Sequence, residues 1–125
     1  EEALDALRRR GIPFGVVSSS WRWYVEHCLR ELGMYEDAAV IVTGSDGLPL
    51  KPAPAPYQAA ARVFRPAPPG AVLAVEDSGS GVRSAVAAGL ACAAVYNPDS
   101  GAQDLSPARW RLNSLYELPA LLDGN

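Results

Sequence analysis

Short apolar runs alternate with segments of helical periodicity along the chain. Four runs have the length and composition of buried parallel strands, and a shorter strand-like piece lies near the C-terminus; together they cover residues 12–17, 38–43, 71–75, 91–96 and 109–112. Apolar residues at helical spacing precede, separate and follow these runs, and the last helix is predicted over residues 114–122. Because strands and helices of this length alternate, the pattern predicts an α/β fold with a parallel sheet covered by helices on both faces.

Small and polar residues mark where two of the helices begin. Ser20 is a natural N-cap for the second helix, in which Trp21 falls on the stripe expected to face the core. Residues 78–81, with the sequence Ser-Gly-Ser-Gly, are predicted to form a turn between the third strand and an Ala-rich helix. Both loops follow the carboxyl ends of strands, where α/β sheets bind their ligands.

Polar side chains follow three of the predicted strands at this edge of the sheet. They are Ser18, Ser19, Ser20, Lys51, Glu76 and Asp77. Two adjacent carboxylates repel each other unless a cation lies beside them, and hard oxygen ligands suit Mg²⁺, which proteins usually hold with one or two carboxylates plus substrate phosphate. A hydroxyl, an ammonium group and a metal-binding carboxylate pair in one crevice predict a phosphate site. Taken singly, Lys51 could be a solvated surface charge and the acidic pair a solvated turn.

Composition narrows the class of protein. The chain has 125 residues, 49% of them hydrophobic, and a net charge of −3, values ordinary for one globular domain. No apolar run approaches the roughly 20 residues of a membrane span, and the acidic balance argues against a nucleic-acid partner. The basic run at residues 8–10 ends a predicted helix, where cations complement the helix dipole. Cys28 and Cys92 lie in apolar patterns without a CxxC partner and are interpreted as buried free thiols of a cytoplasmic protein.

Three segments together resemble motifs of the haloacid dehalogenase (HAD) superfamily of phosphatases and phosphomutases. The second motif of that family, an apolar strand ending in Ser or Thr, resembles residues 14–18, FGVVS. The third, a Lys followed by Pro, resembles residues 51–54, KPAP, and the fourth resembles residues 76–89, EDSGSGVRSAVAAG. The Glu-Asp pair and the KPAP segment are most similar to the β-phosphoglucomutase-like branch, which includes sugar-phosphate and phosphoglycolate phosphatases. The resemblance extends from about residue 2 to the C-terminus.

The resemblance implies a three-layer Rossmann-like fold and a Mg²⁺-dependent phosphoryl transfer. The substrate would be a small phosphorylated metabolite such as a sugar phosphate, and the reaction would pass through an aspartyl-phosphate. Ser18 would bind the transferring phosphoryl group, with Ser19 as a further phosphate contact, and Lys51 would neutralise that group and the nucleophile. Asp77, with Glu76 beside it, would hold Mg²⁺.

One motif of the family is missing. HAD enzymes begin with DxDx[TV], whose first Asp is the nucleophile and whose second is the general acid/base, and no D-x-D occurs in these residues. The resemblance places the missing first strand at the centre of the sheet, between the strands at residues 12–17 and 71–75, so two edges would be unpaired. Residues 1–125 are therefore interpreted as the C-terminal portion of one core domain, without a cap domain. Such a chain would be inactive alone and would need an N-terminal segment or a second chain, for example in a strand-exchanged dimer.

Other functions remain open at this point. The chain could be a non-catalytic HAD-like or receiver-like module, or one half of a split enzyme. A dinucleotide-binding fold is a further alternative, because Gly79 and Gly81 precede a helix, but Ser84 replaces the third glycine of GxGxxG and the two carboxylates would repel a pyrophosphate. Asn97 and Asp99, after the fourth strand, are secondary candidates at the same crevice.

Overall fold

The computed structural model describes residues 2–98 and 103–123. Its helices are α1 Glu2–Arg9, α2 Arg22–Glu31, α3 Ala55–Arg62, α4 Gly79–Ala87 and α5 Leu118–Leu122. Its strands are β1 Phe14–Val17, β2 Ala38–Val42, β3 Leu73–Glu76, β4 Ala91–Val95 and β5 Trp110–Leu112, and 3₁₀ turns cover Pro69–Ala71 and Leu115–Glu117. Each predicted strand is present, with ends within about two residues of those expected from the apolar runs.

The strands form two parallel sheets rather than one. β1 pairs with β2, and β3, β4 and β5 pair in that order. No ladder joins β1 to β3 among the described residues. The parallel pairing confirms the predicted α/β class, and the interruption lies between the two strands where the resemblance places the missing one.

Two helices connect the interrupted sheets. α3 packs against β1, β2 and α4, and α4 packs against β3 and β4. The buried core between them consists of Tyr57, Ala74, Val82, Ala85, Leu90, Cys92, Ala94 and Ala108. Because α3 touches the first sheet and α4 the second, their contact holds the carboxyl ends of β1 and β3 on either side of one cleft.

The predicted cap of α2 is wrong. α2 begins at Arg22, and its N-cap residue, Trp21, makes no side-chain capping bond. The Arg22 amide donates to Ser45 Oγ at 2.9 Å, while the Ser20 carbonyl accepts from the Gly44 amide at 2.8 Å. The loop after β2 thus supplies the capping hydroxyl that Ser20 was expected to provide, and Trp21 is 67% exposed rather than in the core.

The predicted glycine turn is the first turn of α4. Ser78 caps this helix, and its Oγ accepts from the Gly81 amide at 3.1 Å. The last predicted helix divides into a 3₁₀ turn, which starts with a capping box between Ser114 and Glu117, and the short α5. Pro119 lies in the first turn of α5, where its missing amide proton leaves no helical bond unmade.

Arg8 and Arg10, of the basic run at residues 8–10, form ion pairs with nearby carboxylates. The Arg8 guanidinium bonds to Asp5 and Asp37, and Arg10 makes two hydrogen bonds to Asp123, at 2.7 and 2.8 Å. These contacts fasten α1 to the loop before β2 and to the end of α5. They support the structural interpretation of the run.

Both cysteines are free, but only Cys92 is buried; Cys28 is half-buried. This corrects the expectation that both thiols are in the core. Cys28 lies on α2 one turn after Tyr24, which is half exposed, so this side of the helix is only partly covered. In the part of the chain that the structure describes, no helix is both long enough and apolar enough to cross a membrane.

Candidate active site

A cleft of about 680 Å³ opens between the carboxyl ends of β1 and β3. Its lining includes Ser18, Ser19, Lys51, Glu76 and Asp77, as expected from the sequence, but not Ser20. The cleft lies at the interruption between the two sheets, with Val17 on one wall and Val75 on the other. The topology therefore brings together side chains from loops up to about 60 residues apart in the sequence.

The serine loop is fixed through its backbone. The Ser18 amide donates to the Val42 carbonyl at 2.9 Å, which extends the β1–β2 ladder, and Ser18 Oγ accepts from the Ser20 amide at 3.1 Å. A Cβ atom at Gly44 would lie 2.2 Å from the Ser19 carbonyl oxygen. Because only a glycine fits there, the loop after β2 approaches the serine loop closely enough to hold it in place.

An ion pair that the sequence did not suggest locks the loop after β2. The Arg22 guanidinium donates to both Asp46 carboxylate oxygens, at 3.0 and 3.1 Å, and to the Ile41 carbonyl at 2.9 Å. Asp46 also accepts from the Thr43 amide at 2.8 Å. The Thr43 amide and the Arg22 guanidinium together hold the pKa of Asp46 below its usual range. The Asp46–Gly47 pair after β2 was the signal in the sequence that could have predicted this turn, since Asp-Gly is typical of turns.

Lys51 bridges the two sheets. Its Nζ donates to the Val17 carbonyl at 3.1 Å, at the end of β1, and to Glu76 Oε2 at 2.7 Å, at the end of β3. The side chain is only 11% exposed, so the ammonium group is held in the cleft rather than solvated. Lys51 is the only lysine of the 125 residues. This position argues against a solvated surface charge, and the role of Lys51 in a site stays a prediction.

The two acidic residues have different surroundings, because neighbouring strand residues point to opposite sides. Glu76 is buried, and its Oε2 accepts from both Lys51 Nζ and Tyr57 Oη. Asp77 is exposed at the cleft and accepts from Asn97 Nδ2 at 2.9 Å. Asn97 thus touches the site as expected, whereas the other secondary candidate, Asp99, lies outside the described residues.

Sequence reasoning missed the role of Tyr57, which it treated only as a core position of α3. The residue is 7% exposed, and burial, with the nearby Glu76 charge, raises the pKa of its hydroxyl. Its hydroxyl therefore remains a hydrogen-bond donor at ordinary pH. No pattern in the sequence distinguishes this tyrosine from a phenylalanine at the same core position.

A profile of the haloacid dehalogenase-like hydrolase family matches residues 1–89. The chain belongs to the HAD-like hydrolases. It is 36% identical over 126 aligned residues to YhcW of Bacillus subtilis (strain 168), which is named as a candidate phosphatase. It is 31% identical over 118 residues to the validoxylamine A 7′-phosphate phosphatase of Streptomyces hygroscopicus subsp. limoneus. The alignments cover 98% and 87% of this chain but 56% and 55% of those proteins, so the chain spans about half the length of these HAD relatives.

Solved structures confirm the predicted Rossmann-like HAD fold. CbbY from Rhodobacter sphaeroides, crystallised with phosphate, is similar with a TM-score of 0.85 and 30% identity over 94% of this chain and 53% of its own. A mutant of CbbY was crystallised with xylulose-1,5-bisphosphate. A Thermotoga maritima protein described as a candidate β-phosphoglucomutase is similar with a TM-score of 0.79 and 26% identity, over 98% of this chain and 57% of its own. These matches agree with the predicted branch of the HAD family and with a core that is incomplete in these residues.

The donor atoms of the cleft fit part of a Mg²⁺ site. Asp77 presents a hard carboxylate ligand to the cleft, as Mg²⁺ prefers. The adjacent Glu76 carboxylate is engaged by Lys51 and Tyr57. Across residues 2–98 and 103–123, no group of three or more His, Cys, Asp or Glu residues lies close enough to enclose a metal ion. These residues would supply one or two ligands, and the remainder would come from substrate, water or another segment.

The loop that carries Lys51 is fastened to α4. Ser84 is fully buried, and its Oγ donates to the Ala53 carbonyl at 2.6 Å. Ser84, which stands where GxGxxG has its third glycine, therefore has a structural role in this chain.

At the start of α4, the Gly79 amide donates to Gln103 Oε1 and the Gly81 amide to Ser78 Oγ, so these amides already have partners where a pyrophosphate would need donors.

Proposed function

We propose that this chain is part of a Mg²⁺-dependent HAD phosphatase or phosphomutase that acts on a small phosphorylated metabolite, such as a sugar phosphate. Residues 1–125 would be the C-terminal portion of its core domain. The observation that carries the proposal is that Ser18, Ser19, Lys51 and Asp77 line one cleft, with the Lys51 ammonium held there by the Glu76 carboxylate. Hydroxyl and ammonium donors with a carboxylate opposite them are what a phosphoryl group and its counter-ion require.

Each residue of the cleft has a role that follows from its chemistry. The Ser18 hydroxyl would donate to one phosphoryl oxygen, with Ser19 beside it, and the Lys51 ammonium would neutralise another. Asp77, with Glu76 next to it, would hold Mg²⁺. When bound, the ion would offset the negative charge of the phosphoryl group. Because Lys51 is largely shielded from water, its charge would act on the phosphoryl group with little screening.

The nucleophile would come from outside these residues, since they contain no D-x-D. An N-terminal segment or a second chain would place its strand in the interruption between β1 and β3, next to the cleft. The xylulose-1,5-bisphosphate complex of CbbY and the name of the Streptomyces relative support a sugar phosphate or a related metabolite as substrate. The two free thiols support a cytoplasmic location.

A phosphatase assay with and without a complementing segment tests this proposal. The 125-residue chain alone should show no Mg²⁺-dependent turnover of sugar phosphates, and addition of an N-terminal segment with the DxDx[TV] motif should restore it. In the complemented protein, Lys51→Met should abolish turnover, whereas Arg62→Met, which removes an exposed cation of α3, should not. Robust metal-dependent turnover by the chain alone would contradict the proposal.

The absence of D-x-D also favours a second candidate, a non-catalytic HAD-like module or one half of a split enzyme. Such a module would bind phosphate and Mg²⁺ through the same cleft without turnover. Calorimetric titration of the chain with inorganic phosphate and Mg²⁺, followed by the complementation assay, separates the two. Binding without turnover in the complemented protein would favour the module.

A further inference from the structure

Tyr57 joins the hydrophobic core to the cleft. Its ring packs in the core cluster with Ala74 and Val82. At the other end its hydroxyl donates to Glu76 Oε2, the same oxygen that accepts from Lys51 Nζ at 2.7 Å. Lys51 Nζ also lies 5.4 Å from the centre of the Tyr57 ring. The three side chains therefore form one buried group in which the tyrosine is the member attached to the core.

A lysine at a reactive site needs such an anchor. Its side chain has four rotatable bonds and loses much conformational freedom when it is held in one position. The Glu76 carboxylate, which orients Lys51, is itself attached through a broad terminal torsion. On one side, the carboxylate is confined by α4, because a Cβ at Gly81 would lie 1.9 Å from Glu76 Oε1. On the other side, the Tyr57 hydroxyl holds Oε2, so the carboxylate is fixed from both directions.

We propose that Tyr57 is a positioning residue, whose hydroxyl fixes the Glu76 carboxylate so that Glu76 holds the Lys51 ammonium at the cleft. Only the consequence for turnover rests on the proposed function; the consequence for the position of Lys51 does not.

The position of Lys51 can be measured directly, because it is the chain's only lysine. In protein labelled with ¹³C,¹⁵N-lysine, Lys51 gives one set of side-chain NMR signals. The two ε-protons of an immobilised lysine have different chemical shifts, and this difference disappears when the side chain rotates freely. We expect Tyr57→Phe to reduce the difference at least twofold and to sharpen the signals. Glu76→Ala, which removes the acceptor oxygens altogether, provides the scale for full release from this bond.

Tyr116→Phe is the matched control, since Tyr116 is 75% exposed and loses the same hydroxyl. Its Lys51 signals should equal those of the unmodified chain. A folded Tyr57→Phe variant whose Lys51 signals are unchanged would overturn the inference. Tyr57→Leu, which also removes the ring, separates packing from hydrogen bonding. Release of Lys51 only in this variant would show that the hydroxyl has no positioning role, and would likewise overturn the inference.

The complemented protein supplies a second readout. Tyr57→Phe should lower kcat by roughly tenfold, the effect of one hydrogen bond to a charged group, while KM changes less than about twofold. An unchanged kcat would overturn the inference. If the unmodified complemented protein shows no turnover, the proposed function fails, but the NMR comparison still decides whether Tyr57 positions Lys51.

Discussion

Substitution of Gly81 by alanine adds one methyl group beside the most buried charge of the cleft. Gly81 lies in the first turn of α4, and a Cβ atom there would be 1.9 Å from Glu76 Oε1 and 2.2 Å from its Cδ. The separation must grow by about 1.5 Å to reach the 3.4 Å of ordinary van der Waals contact. The carboxylate is already held by Lys51 and Tyr57, so it cannot move that far without breaking those bonds.

The expected cost follows from that displacement. Breaking a buried ion pair costs about 3–5 kcal/mol when one partner is left unpaired. Alanine stabilises a helix interior by about 1 kcal/mol relative to glycine, which offsets part of the loss. We therefore expect Gly81→Ala to lower the free energy of unfolding by about 2–4 kcal/mol. This corresponds to a fall of about 1–2 M in the urea midpoint for a domain of this size.

Urea unfolding followed by tryptophan fluorescence measures this loss. Gly70→Ala is the matched control, because a Cβ at Gly70 meets nothing within 4 Å, and it should change stability by less than about 0.5 kcal/mol. In a Glu76→Ala background the clash is absent, so Gly81→Ala should cost nothing further. The reasoning is refuted if Gly81→Ala is as stable as Gly70→Ala, or if its cost is the same in both backgrounds.

Three further predictions concern buried or paired polar groups. Ser84→Ala should cost about 1–2 kcal/mol in urea unfolding, because the Ala53 carbonyl loses its buried donor; a loss under about 0.5 kcal/mol would contradict this. The Thr43 amide holds the pKa of Asp46 low, so the contribution of Asp46 to the free energy of unfolding is present above about pH 3.9 and is lost as pH falls through the folded-state pKa. Asp46→Asn should therefore reduce the loss of stability at acid pH. An unchanged loss in this variant would argue against the Thr43–Asp46 hydrogen bond as its cause. Burial raises the pKa of Cys92 to about 11, so its stabilisation is complete below about pH 8.5 and is lost as pH rises through about 11. Cys92→Ala should remove that alkaline decline, which would persist if other groups caused it.

Local patterns predicted the elements well where the signal lay within one segment. The apolar runs that became β1 and β4 depend on burial of consecutive side chains, and their ends shifted by only one or two residues. The cap of α2 was wrong because its hydroxyl comes from Ser45, 23 residues further along the chain. A capping rule that reads only neighbouring residues has no access to such a partner.

The predictions about the positions of the site residues also succeeded where the signal was local and failed where it depended on distant contacts. Ser18, Lys51 and Asp77 were predicted because each follows a strand, and parallel topology brings strand ends to one edge. The separate environments of Glu76 and Asp77 were not predicted. In the sequence they are an equivalent pair, but in the structure Glu76 is buried against Tyr57 of α3, whereas Asp77 is exposed at the cleft.

The sequence by itself determined the class of fold, the order of the motifs and the absence of a D-x-D nucleophile from these residues. These properties depend on residue type and on spacing along the chain. Only the tertiary structure decided which atoms hold the Lys51 ammonium and which glycine must lack a side chain. Those facts arise from contacts between α3, β3 and α4, where the separation of side chains distant in sequence determines whether a hydroxyl or a methyl group is accommodated.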